Sequence, residues 1–256
     1  MKTINGILSL AIMLFLLSIT LSPITAFSKA ELTPPTKPLR VYLLLGQSNM
    51  SGQGKVAELT ASYKTLPKNV EIYLHGKLAK IANLSKFGPE VAFAHSLAKK
   101  YPAALIRLIK FAPGGSLMKD WTSKARGKHY DTLIKQVKKI SQGKIPKISG
   151  VLWMHGERDS KSVQLANHYK QSMQTFINML QHDFHNKKIP FAIARISIPE
   201  AFRPAIPNIR AVQEQMAKSS PYIKMISTDD LSKTNDQVHF DTKGQLLLGK
   251  RFAQVM

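Results

Sequence analysis

The hydrophobic positions along the chain fall into two kinds of segment, of which the first is short and almost continuously apolar. Runs of this kind have the length of strands and occupy residues 41–45, 70–74, 104–111, 148–154, 191–198 and, as a shorter sixth run, 223–227. Near-continuous apolar runs are typical of parallel strands that are buried on both faces. We therefore expect a central parallel sheet of about five strands.

The second kind of segment places apolar residues three or four positions apart. In residues 162–182, for example, Leu165, Tyr169 and Met173 fall on one helical stripe. The other predicted helices cover residues 89–100, 130–141, 208–219 and 242–254. Alternating strands and helices predict an α/β domain with helices on both faces of the sheet. In such domains ligands bind at the carboxyl ends of the strands.

The first thirty residues are expected to be a secretory signal peptide. Lys2 precedes an apolar run at residues 7–21, and small residues ending at Ala30 offer a cleavage site, with Ala26 as a weaker candidate. An uncleaved anchor is the alternative, but the run has 15 residues, whereas a membrane-spanning helix needs roughly 20. We therefore expect a periplasmic or secreted protein without a transmembrane span in the mature chain.

The rest of the chain has the length of one domain. Residues 31–40 are rich in proline and predict an extended lead-in, so the domain would cover residues 41–256. The chain has no cysteine, which excludes disulfides, a thiol nucleophile and a thiolate metal site. No histidine pattern has convincing metal-ligand spacing, so we expect neither a metal nor an organic cofactor.

The formal net charge is +22, from 37 Lys and Arg against 15 Asp and Glu. Such a charge attracts polyanions. The basic residues are scattered in ones and twos, as in Lys99-Lys100, without a long basic run. A solvated basic surface is therefore favoured over a dedicated nucleic-acid site, and a polyanion-binding patch stays open as the alternative.

Ser48 is the first candidate for chemistry, because it follows the first predicted strand at the edge where ligands bind. Gly46 permits a tight turn there, and Gln47 and Asn49 flank the serine. Ser48 could be a nucleophile or an ordinary helix cap. Met50 stands where the nucleophile elbow of α/β-hydrolases has its second glycine, which excludes that elbow.

Asp236 and His239 form the second candidate group, in the loop before the last predicted helix. A carboxylate three residues before a histidine can accept a hydrogen bond from one ring nitrogen and leave the other free as a base. The distance of this pair from Ser48 along the chain is no obstacle, since triads are defined by geometry. Asp241 is expected to cap the last helix.

Two further loops follow the third and fourth predicted strands. Gly114 and Gly115 could expose backbone N–H groups to a developing oxyanion, or they could form a simple flexible turn. In residues 153–160, His155, Glu157 and Asp159 crowd one loop, which indicates either a functional site or a structural cluster of charges. All these loops would converge on one edge of the sheet.

Taken in order, these segments resemble the conserved blocks of the SGNH hydrolase superfamily. The branch of sialate O-acetylesterases and acetylxylan esterases, carbohydrate esterase family 6, is the more similar one. The resemblance rests on residues 46–52, 87–90, 114–121, 153–159 and 236–239. It implies a three-layer α/β/α, flavodoxin-like fold and the removal of O-acetyl groups from carbohydrate. It also implies that Ser48 is the nucleophile, His239 the base and Asp236 the residue that orients it.

The resemblance further implies an oxyanion hole made by the amide of Ser48, an amide of Gly114 or Gly115, and a side chain from the fourth block. The family usually has glutamine where this chain has His155. A neutral imidazole can also donate one hydrogen bond, so we expect His155 to take this role.

The flanking residues receive lesser roles in this interpretation. Gln47 and Asn49 are expected at the same substrate-binding site. Glu157 and Asp159 are expected to fix loops and not to react.

The expected partner is an acetylated carbohydrate, which the positive charge would allow to be anionic. Xylan, sialic acid and acetylated envelope polysaccharide all fit. Two alternatives remain at this point: a non-catalytic protein of the same fold that binds a glycan or polyanion, and an O-acyltransferase.

Overall fold

The computed structural model describes residues 37–122 and 126–256, and every structural statement below refers to these ranges. The predicted signal peptide and most of the predicted lead-in lie outside them. Within them, no helix has the length and apolar character needed to cross a membrane.

Seven strands form one sheet in the order β4-β3-β6-β1-β7-β8-β9, and all neighbours are parallel except β3 and β4. A separate pair, β2 and β5, is antiparallel. The strands are β1 (Leu39–Gly46), β2 (Gly54–Lys55), β3 (Val70–Leu74), β4 (Lys77–Leu78), β5 (Lys86–Phe87), β6 (Leu105–Phe111), β7 (Ile148–Met154), β8 (Phe191–Ala194) and β9 (Ile223–Ile226). The predicted α/β sheet is thus confirmed, with seven strands where about five were expected.

The differences from the predicted strands have physical reasons. Strand β4 is a two-residue exposed edge strand, so the sequence contains no apolar run from which it could be predicted. Strand β1 begins at Leu39, inside the predicted lead-in. The run at 191–198 leaves the sheet after Ala194, because the Ile196 amide donates to the Gln213 side chain instead of a neighbouring strand. Ile196 and Ile198 nevertheless remain buried, which explains their strand-like pattern.

Nine helices are described: α1 (Ser48–Ser51), α2 (Ala61–Lys64), α3 (Glu90–Lys100), α4 (Lys119–Thr122), α5 (Lys128–Ile140), α6 (Val163–Asn167), α7 (Tyr169–Asp183), α8 (Ile206–Lys218) and α9 (Thr242–Val255). The predicted helix at 162–182 is two helices, because the His168 amide donates to Ala166 and breaks the ladder. Asp241 caps α9 as expected, since its side chain accepts from the Gly244 amide.

The helices cover the sheet in two groups. Helix α3 packs against α9, whereas α4 contacts α5 and α7, and α7 contacts α6 and α8. Strand β1 lies at the centre of the sheet between β6 and β7, and it is buried from Val41 to Gly46. The loops that follow β1, β6 and β7 therefore meet above one central crevice, where ligands bind in folds of this kind.

Candidate active site

The turn after β1 presents Ser48 at this crevice. The Gln47 amide donates to the Met154 carbonyl at 3.0 Å, which ties the turn to β7. Gly46 has a φ of 148°, and a Cβ there would lie 2.0 Å from the Met154 oxygen. Only glycine therefore allows the two strand ends to approach so closely, and Ser48 begins α1 immediately beyond this contact.

The Asp236 carboxylate organises the loop before α9. Its Oδ1 accepts hydrogen bonds from the Val238 amide at 2.8 Å, the His239 amide at 2.9 Å and the Thr234 hydroxyl at 2.8 Å. Gln237 adopts a left-handed φ of 56°. One side chain thus fixes the loop and leaves its other oxygen, Oδ2, for the His239 ring.

The structure brings Ser48, His239 and Asp236 into one hydrogen-bonded chain. His239 Nε2 lies 2.9 Å from Ser48 Oγ, and His239 Nδ1 lies 2.6 Å from Asp236 Oδ2. Partial burial alone would raise the pKa of Asp236, but the hydrogen bonds from His239, Val238 and Thr234 outweigh it and hold this pKa well below its ordinary value. Asp236 is therefore a carboxylate that can fix the tautomer of the ring.

Asn49 joins the two parts of this arrangement. Its Nδ2 donates to Glu157 Oε1 at 2.8 Å and to the Val238 carbonyl at 3.1 Å, and its Oδ1 accepts from the Phe240 amide at 3.0 Å. The side chain is buried, and these bonds occupy its amide. The expectation that Asn49 binds substrate does not fit these contacts. The residue instead clamps the histidine loop to the serine turn.

The predicted glycine loop forms a turn after β6. The Ser116 amide donates to the Pro113 carbonyl at 3.4 Å, and Gly115 has a φ of 65°. A Cβ added to Gly114 would meet no atom within 4 Å, so this part of the turn faces open space. Within the described residues, no acceptor is bound to the amides of Ser48, Gly114 or Gly115.

These elements surround a cavity of about 490 Å³. Its lining combines the turn after β1, the glycine turn, the loop after β7, the loop after β8 and the histidine loop. The lining residues are Gln47, Ser48, Gly114, Gly115, Glu157, Arg158, Lys161, Arg203, Val238 and His239. Gln47 thus lies at the wall of the cavity that contains Ser48 and His239.

His155 does not line this cavity, which corrects the oxyanion role expected for it. Its ring is 0 % exposed and stacks on Trp153 at a centroid distance of 4.9 Å. Burial lowers the pKa of His155 to about 3, although the Asp120 carboxylate and the backbone of Ser116 oppose the shift. A side chain enclosed in the core behind the loop cannot donate to a substrate oxygen in the cavity.

The two acids of the same loop each accept a hydrogen bond from another loop. Glu157 Oε1 accepts from Asn49, and burial raises the pKa of Glu157. The Asp159 carboxylate accepts from the Met118 amide through both oxygens, at 3.1 and 3.2 Å. Burial raises the pKa of Asp159 to about 7, although the bond from Met118 opposes the shift.

Three supporting residues were not singled out from the sequence. Arg203 and Lys161 line the cavity, and their positions after predicted strands were the available signal. Lys110 is the buried one of the two cations in β6, the other being the partly exposed Arg107, and a buried lysine requires a partner. Its Nζ lies 2.7 Å from Glu90 Oε2 and 2.7 Å from the Ser51 carbonyl, so this buried ion pair anchors the end of α1.

No group of three or more His, Cys, Asp or Glu side chains in the described part of the chain is placed to hold a metal ion. The arrangement around Ser48 offers a hydroxyl, a base, a carboxylate and free amides.

A family model described as "Carbohydrate esterase, sialic acid-specific acetylesterase" matches residues 38–256. The chain belongs to this family. Its members are carboxylic ester hydrolases, so the predicted family and enzyme class are confirmed, and an acetylated carbohydrate is the substrate that the family implies.

The individual relatives agree with this assignment. A "Probable carbohydrate esterase" from Arabidopsis thaliana is 25% identical over 254 residues, which cover 88% of this chain and 93% of that protein. A solved Arabidopsis thaliana structure superposes with a TM-score of 0.71 at 22% identity, covering 85% of this chain and 97% of that one. The structure of a carbohydrate acetylesterase from Xanthomonas citri superposes with a TM-score of 0.68 at 18% identity, covering 84% of this chain and 55% of that one. At these identities the two structures support the fold alone.

Proposed function

We propose that this esterase removes O-acetyl groups from an acidic carbohydrate with Ser48 as nucleophile, His239 as general base and Asp236 as its orienting carboxylate. The observation that carries the proposal is the 2.9 Å contact between Ser48 Oγ and His239 Nε2, continued at 2.6 Å to Asp236. A positioned base of this kind is what a serine hydroxyl needs to become nucleophilic.

In the first half of the reaction, Ser48 Oγ forms a bond to the acetyl carbon while His239 Nε2 takes the hydroxyl proton. The negative charge on the carbonyl oxygen would be bound by the free amides of Ser48 and the Gly114–Gly115 turn. When the intermediate collapses, the ester C–O bond breaks and His239 returns its proton to the sugar oxygen. The sugar leaves with a hydroxyl, and Ser48 carries the acetyl group.

In the second half, water replaces the sugar. His239 takes a proton from water, the resulting hydroxide attacks the acetyl carbon, and Ser48 leaves as the alcohol when His239 returns the proton. Acetate is the product. Asp236 stays ionised throughout, because its hydrogen bonds hold its pKa low, and it stabilises the imidazolium that forms in each half.

The cationic lining of the cavity favours an acidic sugar. Arg158, Lys161 and Arg203 line the cavity together with Ser48, and none of them belongs to an ion pair in the described ranges. Unpaired cations in a cavity bind a carboxylate by charge-assisted hydrogen bonds. A sialic or uronic acid bearing an O-acetyl group would bring such a carboxylate next to the ester.

Acetate release tests the reaction. The wild type should release acetate from acetylated sialic acid, and Ser48→Ala should lower the turnover of acetylated sugar and of an aryl acetate by on the order of a million-fold. A correctly folded Ser48→Ala variant with near-wild-type turnover would remove Ser48 from the mechanism. Acetyl transfer to a second sugar, without free acetate, would instead identify an acyltransferase.

A matched pair of substrates tests the acidic sugar. The enzyme would be given an acetylated acidic sugar and the methyl ester of its carboxylate. Arg203→Gln should raise KM about ten- to a hundred-fold more for the acid than for its methyl ester, because only the acid loses a charge-assisted contact, worth about 1.5–3 kcal/mol. High salt should likewise raise KM more for the acid than for its methyl ester, because it screens the attraction between the carboxylate and the cations of the cavity. Equal responses of both substrates would argue for a neutral sugar.

Export is proposed separately, on residues 1–30 alone. The mature protein should begin close to Glu31, as N-terminal sequencing of the secreted or periplasmic fraction would show. A mature protein that retains Met1 would contradict this.

A further inference from the structure

Arg158 lies against the glycine turn at the cavity wall. Its Nη1 donates a hydrogen bond of 2.5 Å to the Gly115 carbonyl. Gly115 has the left-handed φ of the turn, and a Cβ added there would lie 3.5 Å from the same nitrogen. The guanidinium therefore rests on the part of the turn that depends on glycine.

A second contact from the next residue holds the same loop. The Asp159 carboxylate accepts from the Met118 amide, three residues beyond the bond that Arg158 makes. The loop after β7 thus holds the loop after β6 at two points, one through a cation and one through a carboxylate. The two contacts differ in setting, because Asp159 is buried and Arg158 is exposed.

The position of His155 gives these contacts their importance. Because the His155 ring is buried outside the cavity, the loop after β7 supplies no imidazole donor to the oxyanion. The oxyanion would then depend on backbone amides, whose placement depends on the conformation of the turn. Preorganised donors contribute to catalysis only if they are already aimed when charge develops.

We propose that Arg158 is a positioning residue for the oxyanion-binding turn at Gly114 and Gly115. Its guanidinium fixes the Gly115 carbonyl and so keeps the free amides of the turn at the cavity wall, and its charge adds a positive potential there. This inference rests on the proposed ester hydrolysis at Ser48. Arginine suits the role better than lysine, because its planar fork holds a fixed direction.

The test uses a neutral aryl acetate, so that binding of a substrate anion plays no part. Arg158→Gln should lower kcat about ten- to a hundred-fold, less than the hundred- to thousand-fold loss of a whole oxyanion donor, and KM should change much less. Lys161→Gln is the matched control, because it removes the same charge from the same cavity without a side-chain bond to the turn. Its decrease in kcat should be clearly smaller.

Chemical rescue separates positioning from general damage. Millimolar guanidinium ion should restore part of the kcat of Arg158→Ala, whereas it should not restore Lys161→Gln. Arg158→Lys should retain an intermediate kcat. Thermal unfolding of each variant checks that the fold persists, which the exposed position of Arg158 leads us to expect.

Equal losses of kcat in Arg158→Gln and Lys161→Gln would show that charge alone matters and would overturn the proposal. Wild-type kcat in Arg158→Gln would overturn it as well. Failure of the underlying function has a different signature, namely a wild type that does not cleave the ester or a Ser48→Ala variant that still does.

Discussion

The loop at residues 234–239 and the loop at residues 155–159 each place a histidine beside an aspartate. In the first, His239 Nδ1 lies 2.6 Å from Asp236. In the second, His155 Nδ1 lies 3.8 Å from Asp159, and the aspartate turns instead to the Met118 amide. The same two side chains form a hydrogen-bonded pair in one loop and only neighbours in the other.

The surroundings of the two loops account for the difference. Asp236 is half exposed and receives several hydrogen bonds, which hold its pKa low. Burial raises the pKa of Asp159 to about 7 and lowers that of His155 to about 3. An aspartate can orient a neighbouring histidine and stabilise its protonated form only where water and hydrogen-bond donors keep the carboxylate ionised.

The largest expected contrast lies between the two histidines. His239→Ala should lower kcat for an aryl acetate by on the order of a million-fold, as the loss of a triad base does, and adding Ser48→Ala should lower it little further. Steady-state kinetics of the single and double variants measure this. Multiplicative losses would show that the two residues do not act as one unit.

The next largest contrast in kcat is expected between substitutions of Asp236 and Asp159. Asp236→Asn should lower kcat by about 10⁴, because an amide cannot stabilise the imidazolium and favours the wrong tautomer. Asp159→Asn removes no group that lines the cavity, so its effect on kcat should be far smaller and should appear mainly in stability. A comparable loss of kcat in both variants would break the comparison between the loops.

His155→Ala should affect stability more than turnover. Emptying a fully buried site typically costs about 2–4 kcal/mol, whereas kcat per folded molecule should stay within about tenfold of the wild type. Urea unfolding and active-site titration measure the two quantities. If His155 were instead an oxyanion donor, kcat would fall by about a hundred- to a thousand-fold.

The smallest effect concerns pH. The pKa of His155 is lowered from 6.5 to about 3, so its contribution to stability is lost as pH falls below 6.5. The pKa of Asp159 is raised from 3.8 to about 7, so its contribution is lost as pH rises from 3.8 towards 7. In the wild type these two dependences oppose each other between about pH 4 and 6.5.

His155→Gln removes the pH dependence of stability that comes from His155 and leaves the one that comes from Asp159. The free energy of unfolding of this variant should therefore fall more steeply with rising pH than that of the wild type, by up to ~1.4 kcal/mol per pH unit for one proton. Urea midpoints measured at intervals from pH 4 to 6.5 would show it. Parallel curves for the two proteins would mean that His155 titrates normally in the folded state.

The sequence was sufficient to predict the fold, because strands that are buried on both faces consist almost entirely of apolar residues and can be recognised as apolar runs. Strands β1, β6 and β7 were recognised this way, whereas β4 was missed because an exposed two-residue edge strand buries nothing. The family and the enzyme class followed from the order of the polar blocks. The roles of Ser48, His239 and Asp236 stay predictions until their variants are measured, although the structure places them within hydrogen-bond distance.

The direction of a loop side chain could not be predicted in the same way. His155 follows β7 directly, and the direction of its ring is set by Trp153 and Tyr169, which stack near it. Asn49 was expected at the substrate, but its partners Glu157, Val238 and Phe240 come from distant parts of the chain. Local pattern identifies such residues as polar and near the site, whereas tertiary contacts decide what they touch.

Ser48 and His239, the proposed nucleophile and base, are 191 positions apart, which has a consequence for the timing of activity during synthesis. Chains grow at about 5–20 residues per second, so the histidine loop is made roughly 10 to 40 s after the serine turn. Until then the sheet centre can form around β1 and β6, but the hydroxyl lacks its partner. With the roles proposed for Ser48 and His239, we expect a nascent chain to be inert towards esters, and the onset of hydrolysis should report the docking of the last helix.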